Sequence, residues 1–354
     1  MKAILLAGGK GTRLRPLTIH TPKPIVPIFE RPFLNYQLDL LKRVPEIDQV
    51  ILSLNYQPRR IEHIFGDGGE SGLSIRYVVE PAPLGTAGAV KYAGDNLAGS
   101  VVVFNGDVLT QIDLASVIRL HRERRAKATI VLTPVENPTA YGLVETDADG
   151  NVRRFLEKPK PEEITTNHIN AGIYVLEPDT FDRIPSGVPW SIERRYFPSL
   201  VERGETFVAH IYAGYWIDIG TPEKYIQVHR DIMDGRYATA PFLDLPPAAR
   251  VVAPSVRVES GAVLQGPCFV DEGVVIKAGA RIGPYSVIGR DTQVDEDASV
   301  DGAILWPQCH VSREASVRNA IVGRNCRLGR SVSVANAAVL GDDTTLTDYT
   351  RIGM

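Results

Sequence analysis

Six stretches of the 354-residue chain, in five groups, carry residue types whose spacing suits phosphate chemistry. The first is Gly8-Gly9-Lys10-Gly11-Thr12-Arg13-Leu14-Arg15-Pro16. Its glycines let backbone N–H groups turn toward an anion, and Lys10, Arg13 and Arg15 add positive charge, a combination that suits a polyphosphate. It is not a Walker A loop, because Gly-Lys-Ser/Thr is missing, and its glycine spacing departs from the dinucleotide fingerprint. A solvated turn with basic neighbours is the plainer alternative. The second stretch, Pro22-Lys23-Pro24, fixes one lysine between two residues with restricted backbones, although a surface lysine in a proline-rich loop looks the same.

The third and fourth stretches supply carboxylates. Asn105-Gly106-Asp107 ends an apolar run, and Asp218 lies in Tyr215-Trp216-Ile217-Asp218-Ile219-Gly220-Thr221-Pro222, where a charge among apolar residues needs a partner. Phosphates require neutralisation and hard cations take carboxylate oxygens, so Asp107 and Asp218 are expected to share Mg²⁺ with a nucleotide. Either residue is also an ordinary turn or cap aspartate by type. The fifth group is Phe155-Leu156-Glu157-Lys158-Pro159 with Ile169-Asn170-Ala171-Gly172-Ile173-Tyr174. Glu and Asn read sugar hydroxyls and Lys holds a phosphate; a cross-strand ion pair with a structural Asn is the alternative.

These groups need a frame, and the hydrophobic pattern supplies one. Residues 2–7, 49–55, 74–79, 101–105 and 129–135 have the composition of buried strands. Between them, 33–44, 59–65, 86–97 and 114–125 have helical spacing. The alternation predicts an α/β fold with a doubly wound, Rossmann-like sheet, mixed but largely parallel, that binds ligands at its C-terminal strand ends. Residues 238–250 are proline-rich and aperiodic, the composition of a linker packed on its neighbours.

From Val252 a repeat takes over. Every sixth residue is aliphatic through Val300, and the period continues to Ile352 with two five-residue steps, Val300 to Leu305 and Val317 to Val322. The fourth residue after each aliphatic is small or β-branched, Ile304 and Ile321 included, and the position directly after it is glycine at 283, 289, 323, 329, 341 and 353. Such a register suits a triangular coil of three short strands, about 18 residues per turn, and resembles the hexapeptide-repeat, left-handed parallel β-helix. The expected domains are therefore 1–237, a linker 238–250, and a β-helix 251–354. All three cysteines, Cys268, Cys309 and Cys326, fall in the small slot and are expected to face inward as packing residues.

Composition narrows the partners. The net charge is −3 without a long basic run, which leaves no footprint for nucleic acid or an acidic membrane. Gly and Pro number 31 and 25, too many for a mainly helical chain. The apolar run at the start is too short for a signal peptide or a membrane span, and three scattered cysteines fit a reducing cytoplasm.

GGxGTRLRPLT from Gly8, the PKP of Lys23, PLGTAG from Pro83 to Gly88, NGD, EKP, NAGIY and WIDIGTPE resemble, in that order, the sugar-1-phosphate nucleotidylyltransferases. The resemblance covers Met1 to about Arg236. With a β-helix attached, the likeness is greatest to the branch that makes GDP-mannose. It implies that Ala7, Gly8, Gly9, Gly11, Thr12 and Arg13 hold nucleotide phosphates, that Lys23 contacts the reacting phosphates, and that Glu80, Gly85 and Thr86 form the base pocket. It further implies metal at Asp107 and Asp218, sugar phosphate at Glu157, Lys158 and Asn170, and backbone contact to the sugar from Gly142. The implied substrates are a nucleoside triphosphate, GTP in that branch, and a hexose 1-phosphate. The implied catalytic set is Arg13, Lys23, Asp107, Lys158 and Asp218, and no protein nucleophile is needed. Thymidylyl, uridylyl and adenylyl relatives share most of these motifs. Two other classes use similar parts: a β-helix acyltransferase, for which His310 would be the only histidine after Arg250, and a non-catalytic regulatory subunit. The flat faces and open end of a β-helix also predict self-association into a homo-oligomer.

Overall fold

A computed structural model describes residues 1–69 and 72–353. The chain forms two compact units, one of Met1–Lys10 with Leu34–Trp216, the other of Gly11–Phe33 with Ile217–Met354.

The first unit is built on a nine-stranded sheet. Its strands in chain order are β1 (Lys2–Leu6), β2 (Gln49–Leu54), β3 (Ser74–Val79), β4 (Val101–Asn105), β5 (Ala128–Pro134), β6 (Gly142–Thr146), β7 (Val152–Glu157), β8 (His168–Leu176) and β9 (Phe207–Ile211). All five strands expected from the apolar runs are present. Along the sheet the order is β7-β6-β8-β4-β1-β2-β3, with β5 pairing both β8 and β9. Strands β4, β1, β2 and β3 are mutually parallel, whereas β8 runs antiparallel to β4 and to β5. Continuous apolar strands such as Val101–Phe104 are fully buried, as parallel strands covered on both faces must be.

The four expected helices are α1 (Phe33–Lys42), α2 (Pro58–Phe65), α3 (Gly85–Ala93) and α4 (Leu114–Glu123). Helix α3 stops short of the expected end: Gly94 donates the last helical bond, to the Val90 carbonyl at 2.8 Å, and the chain then turns, Leu97 N–H bonding the Gly94 carbonyl at 3.3 Å. Helix α4 starts where Asp113 Oδ1 accepts the Ala115 N–H at 3.1 Å. Phe197, on α5 (Phe197–Glu202), sits 5.1 Å from the Tyr174 ring and 5.0 Å from that of Phe207, tying the far end of the sheet together.

The second unit is dominated by the β-helix, three parallel six-stranded sheets that begin at Arg250–Val252 and end at Arg351–Ile352. Stacked partners are one coil apart, Val270 beside Ile288 and Leu305 beside Val322. From Val270 to Leu340 the interior holds the expected aliphatics with Cys268, Cys309 and Cys326, all buried and the cysteines unbridged, whereas Val252 and Val258 of the first coil are exposed. The interior slot differs from expectation at the two short steps. There Ala303 and Ala320 line the core, while Ile304 and Ile321 alternate to the other face of their strands. Removing one residue from a corner moves the inward slot from the fourth to the third position.

The boundaries expected at 237 and 251 follow chain order, but packing divides the chain elsewhere. Residues 11–33 and α6 (Pro222–Met233) group with the β-helix. The reason is aromatic. Phe29, in a turn between the two-residue strands Pro27–Ile28 and Arg31–Pro32, meets His229 of α6 at 5.0 Å, Phe242 of the linker at 5.5 Å and Phe269 of the β-helix at 5.2 Å.

His229 is 1% exposed and held at both ring nitrogens. Its Nδ1–H donates to the Tyr225 carbonyl at 2.8 Å and Nε2 accepts the Phe29 N–H at 3.2 Å, which fixes the neutral tautomer. Burial pushes its pKa down to about 4. The unfolded chain therefore binds the extra proton first. Stability should be full above about pH 6.5 and fall toward pH 4, by about 3 kcal/mol over that window. Thermal melts at pH 7 and pH 5 check this: His229→Gln should flatten the difference, and an unchanged difference would remove His229 as its source.

Among the described residues, no helix is long and apolar enough to cross a membrane.

Candidate active site at the carboxyl edge of the sheet

Of the four neighbouring parallel strands of the first unit, three end in expected site residues. Leu6 of β1 is level with Asn105 of β4 and with Ser53 of β2, and Leu54 is level with Val79 of β3. Ala7-Gly8-Gly9, Gly106-Asp107 and Glu80 thus emerge side by side at one sheet edge, where the αβ topology puts ligands. The chain is tight there. A Cβ on Gly106 would lie 2.4 Å from the Leu6 carbonyl oxygen, and one on Gly8 would lie 3.1 Å from Asn55 N and 3.3 Å from Glu80 Oε1. Gly9 has open space around it and is exposed, and Asp107 is half-buried.

Glu80 is 8% exposed and fixed from within. Ser53 Oγ donates to Oε1 at 3.1 Å and the Leu84 N–H to Oε2 at 2.9 Å. A carboxylate has about four acceptor sites, so two bonds leave it capacity for further donors.

Gly85 and Thr86 start α3 against the segment 190–193. Gly85 has φ +68°, and a Cβ there would meet the Trp190 carbonyl oxygen at 2.8 Å. That same oxygen accepts the N–H groups of Ala87 and Gly88 at 2.9 and 3.2 Å. Thr86 Oγ1 accepts from Ile192 N at 2.7 Å and donates to Glu193 Oε2 at 3.0 Å, so its hydroxyl is committed to the protein.

Glu157 ends β7 and Gly142 begins β6 directly opposite. A Cβ on Gly142 would fall 2.6 Å from Phe155 Cζ and 3.1 Å from Glu157 Oε2, so the Phe155 ring requires glycine here and the carboxylate packs close beside it. Burial raises the Glu157 pKa, nearby Glu193 raises it further, and Lys158 and Arg194 oppose. Lys158 is exposed, at φ +53°, just beyond the strand. Asn170 lies on β8 where the register with β5 breaks before Tyr174. Its Oδ1 accepts the Gly172 N–H at 2.8 Å and its Nδ2 donates to Tyr174 OH at 2.8 Å. Bulges of this kind re-aim side chains beside sites.

Glu193 was missed by motif reading. Ser191 Oγ donates to its Oε2 at 2.8 Å and accepts the Arg194 N–H at 3.1 Å. The available signal was a helix-start serine followed by Glu193-Arg194-Arg195 ahead of apolar Tyr196-Phe197.

The second unit carries the remaining residues. Gly11 has φ +61°, and its carbonyl accepts both the Leu14 N–H at 3.0 Å and Thr18 Oγ1 at 2.7 Å, curling the loop into a short helix over Thr12–Leu14. Thr12 and Arg13 are exposed on that turn, and Lys23 opens another, Lys23–Ile25. Arg13 lies against the Asp218 turn: a Cβ on Gly220 would come within 2.9 Å of its guanidinium. Asp218 is 9% exposed and paired with the Lys224 ammonium, the partner that its apolar surroundings required. Asp107 belongs to the first unit and Asp218 to the second. As donors, two carboxylates fit Mg²⁺, which takes hard oxygen ligands and usually only one or two of them from protein.

Residues 2–235 match the nucleotidyl transferase family, and residues 264–353 match the family described as GMPPB C-terminal domain. A mannose-1-phosphate guanylyltransferase of Mycobacterium tuberculosis is 39% identical over 86% of this chain and 79% of its own length. Mannose-1-phosphate guanylyltransferase 1 of Arabidopsis thaliana is 35% identical over 88% of this chain and 81% of its own. A UTP–glucose-1-phosphate uridylyltransferase of Synechocystis is 33% identical over 86% and 83%. Among solved structures, HddC from Yersinia pseudotuberculosis in complex with GMP-PN is 30% identical with a TM-score of 0.54, covering 64% of this chain and 96% of that one.

Proposed function

The chain belongs to the nucleotidyl transferase family, and from that membership we propose that it joins GTP to mannose 1-phosphate, giving GDP-mannose and pyrophosphate. The observation that carries the reading is the row of strand ends bearing Gly8, Asp107 and the buried carboxylate Glu80. Guanine offers adjacent N1–H and 2-amino donors, and a fixed carboxylate with spare acceptor sites suits that pair. Sites that hydrogen-bond a substrate reject analogues lacking the donors strongly. Glu80→Gln should therefore lower kcat/KM for GTP at least about tenfold and leave the sugar-phosphate KM within about twofold. Equal losses with GTP and UTP would take Glu80 out of base selection.

Chemically, the sugar phosphate is largely dianionic at neutral pH, with a second pKa near ~6, so it attacks the α-phosphorus without a protein base. The backbone of Ala7, Gly8, Gly9, Gly11 and Thr12 holds the triphosphate. Arg13 and Lys23 neutralise its oxygens, and Lys158 takes the sugar phosphate. Glu157, Asn170 and the Gly142 backbone orient the hexose. A magnesium ion held by Asp107 and Asp218 supplies further charge neutralisation when bound. In-line positioning and fixed positive charge account for catalysis of this kind.

The test is a matrix of GTP, UTP, dTTP and ATP against mannose, glucose, galactose and amino-sugar 1-phosphates, read by pyrophosphate release. GTP with mannose 1-phosphate should give the highest kcat/KM. A maximum at UTP with glucose 1-phosphate, the reading favoured by the Synechocystis relative, would replace it. Silence in every pair would favour a regulatory subunit.

Self-association through the β-helix is supported by Val252, Val258 and Val263, exposed on its first coil. Light scattering should give a multiple of 38.8 kDa, and a clean monomer would sink the idea. Three unbridged cysteines support a reducing cytoplasm.

A further inference from the structure

We propose that Trp306 of the β-helix is a positioning residue for Lys23, acting through Tyr225 and the Pro27 carbonyl; the role of Lys23 itself rests on the proposed function. The starting point is a break in the repeat. The position after the inward aliphatic is otherwise glycine, a small residue or a polar or charged one, yet after Leu305 it is tryptophan. Trp306 is only 1% exposed, although it stands outside the aliphatic column of the coil. A large buried aromatic in a slot that elsewhere holds glycine, small or polar residues needs a reason beyond the repeat.

Its reason is a directed chain of hydrogen bonds. Trp306 Nε1–H donates to Tyr225 OH at 3.0 Å, and Tyr225 OH donates to the Pro27 carbonyl. Indole can only donate, and a phenol has a single proton, so the order of the relay is fixed. Tyr225 is fully buried, and deleting the indole N–H would leave its oxygen without that donor. Tyr225 and Lys23 border the same narrow gap, together with Leu14, Val26 and Ile28. One turn further along α6, His229 holds the Phe29 N–H. The hairpin following Lys23 is thus gripped at Pro27 and Phe29 by one helix. That helix is in turn seated on the β-helix by Trp306 and by Arg230, which donates to Asn319 Oδ1 at 2.7 Å.

A separate contact points the same way. A Cβ on Gly341 would lie 3.0 Å from Pro16 Cβ, so the β-helix also touches the loop between Arg15 and Lys23. The β-helix is therefore part of the support for the phosphate loop, and its loss of fit should appear in the chemical step.

Trp306→Phe keeps an aromatic ring in place and removes the N–H donor together with part of the indole's volume. Since a displacement of 1 Å costs about 100-fold and one lost hydrogen bond should displace less, kcat should fall about tenfold while both KM values stay within about threefold. Tyr225→Phe should do the same, and the double variant should be no worse than either single one. Val317→Ala serves as the structural control, because Val317 is wholly buried in the β-helix interior. It should lower Tm at least as much as Trp306→Phe and leave kcat within about twofold at 25 °C. Hydrogen exchange gives a readout independent of turnover: Trp306→Phe should speed exchange in 22–29 but not in 101–105, and Val317→Ala should do neither. Matching kcat and exchange in Trp306→Phe and Val317→Ala would overturn the proposal. A wild-type enzyme inert with all substrate pairs would instead overturn the proposed function, leaving the exchange comparison to decide Trp306.

Discussion

Asp107→Asn should lower kcat/KM by at least about 100-fold at saturating Mg²⁺, equivalent to about 2.7 kcal/mol of transition-state stabilisation. The substitution keeps the size of the side chain and removes its charge. Asp107 follows Gly106, which is pressed against the end of β1, so the backbone there has little freedom to move an alternative carboxylate into place. Asparagine still offers one oxygen, but a neutral amide is a poor exchange for a carboxylate on a hard dication. Pyrophosphate release measured across a magnesium titration checks the prediction. Partial recovery at high Mg²⁺ is expected, and a loss under about tenfold at saturation would remove Asp107 from the metal site.

Lys23→Met should cost about 100- to 1000-fold in kcat, the range found when one preorganised charge-stabilising donor is deleted. Methionine keeps the aliphatic stem against the gap shared with Leu14, Val26 and Ile28, so the loop should keep its packing. Lys23 opens a short helix whose own hydrogen bonds are from backbone atoms, Ile25 N to Pro22 O and Val26 N to Lys23 O, and these survive the change. The diagnostic is how the loss divides. A fall in kcat and kcat/KM together places the ammonium on charge that develops in the transition state. A rise in KM with kcat intact would make it an ordinary binding group. Trp306→Phe should reproduce a milder form of the first pattern.

Much of this architecture was legible in the sequence because its periodicities are simple. Buried parallel strands are short apolar runs, and the β-helix repeats an aliphatic every six residues, so β1 to β5 and the coil could be placed before any geometry was known. Some motif glycines have a geometric reason of the same local kind: a Cβ on Gly106 would meet the Leu6 carbonyl oxygen at 2.4 Å, and one on Gly142 would meet the Phe155 ring at 2.6 Å. Three features were not legible. Ala303 and Ala320 replaced Ile304 and Ile321 in the core because a shortened corner changes which residue faces in, and a fixed offset cannot anticipate that. Glu193 was hidden because its importance comes from Thr86 and Glu157, residues remote in sequence. The grouping of residues 11–33 with the β-helix depends on Phe29, Tyr225 and Trp306, whose contacts leave no local pattern.

The bond from Tyr225 to Pro27, backed by Trp306, also bears on the order in which the molecule is assembled. Pro27 and Trp306 are 279 positions apart, whereas strands of the β-helix pair with neighbours one coil away. Local pairing is quick and distant pairing slow, so the coils should form readily once synthesised. The hairpin after Lys23 gains its support through Tyr225 only once the coil that carries Trp306 is present. A nascent chain that already holds β1 to β9 would therefore lack that support for the segment around Lys23. On the proposed role of Trp306, a chain that holds β1 to β9 without the coils should therefore turn over more slowly than one that has both.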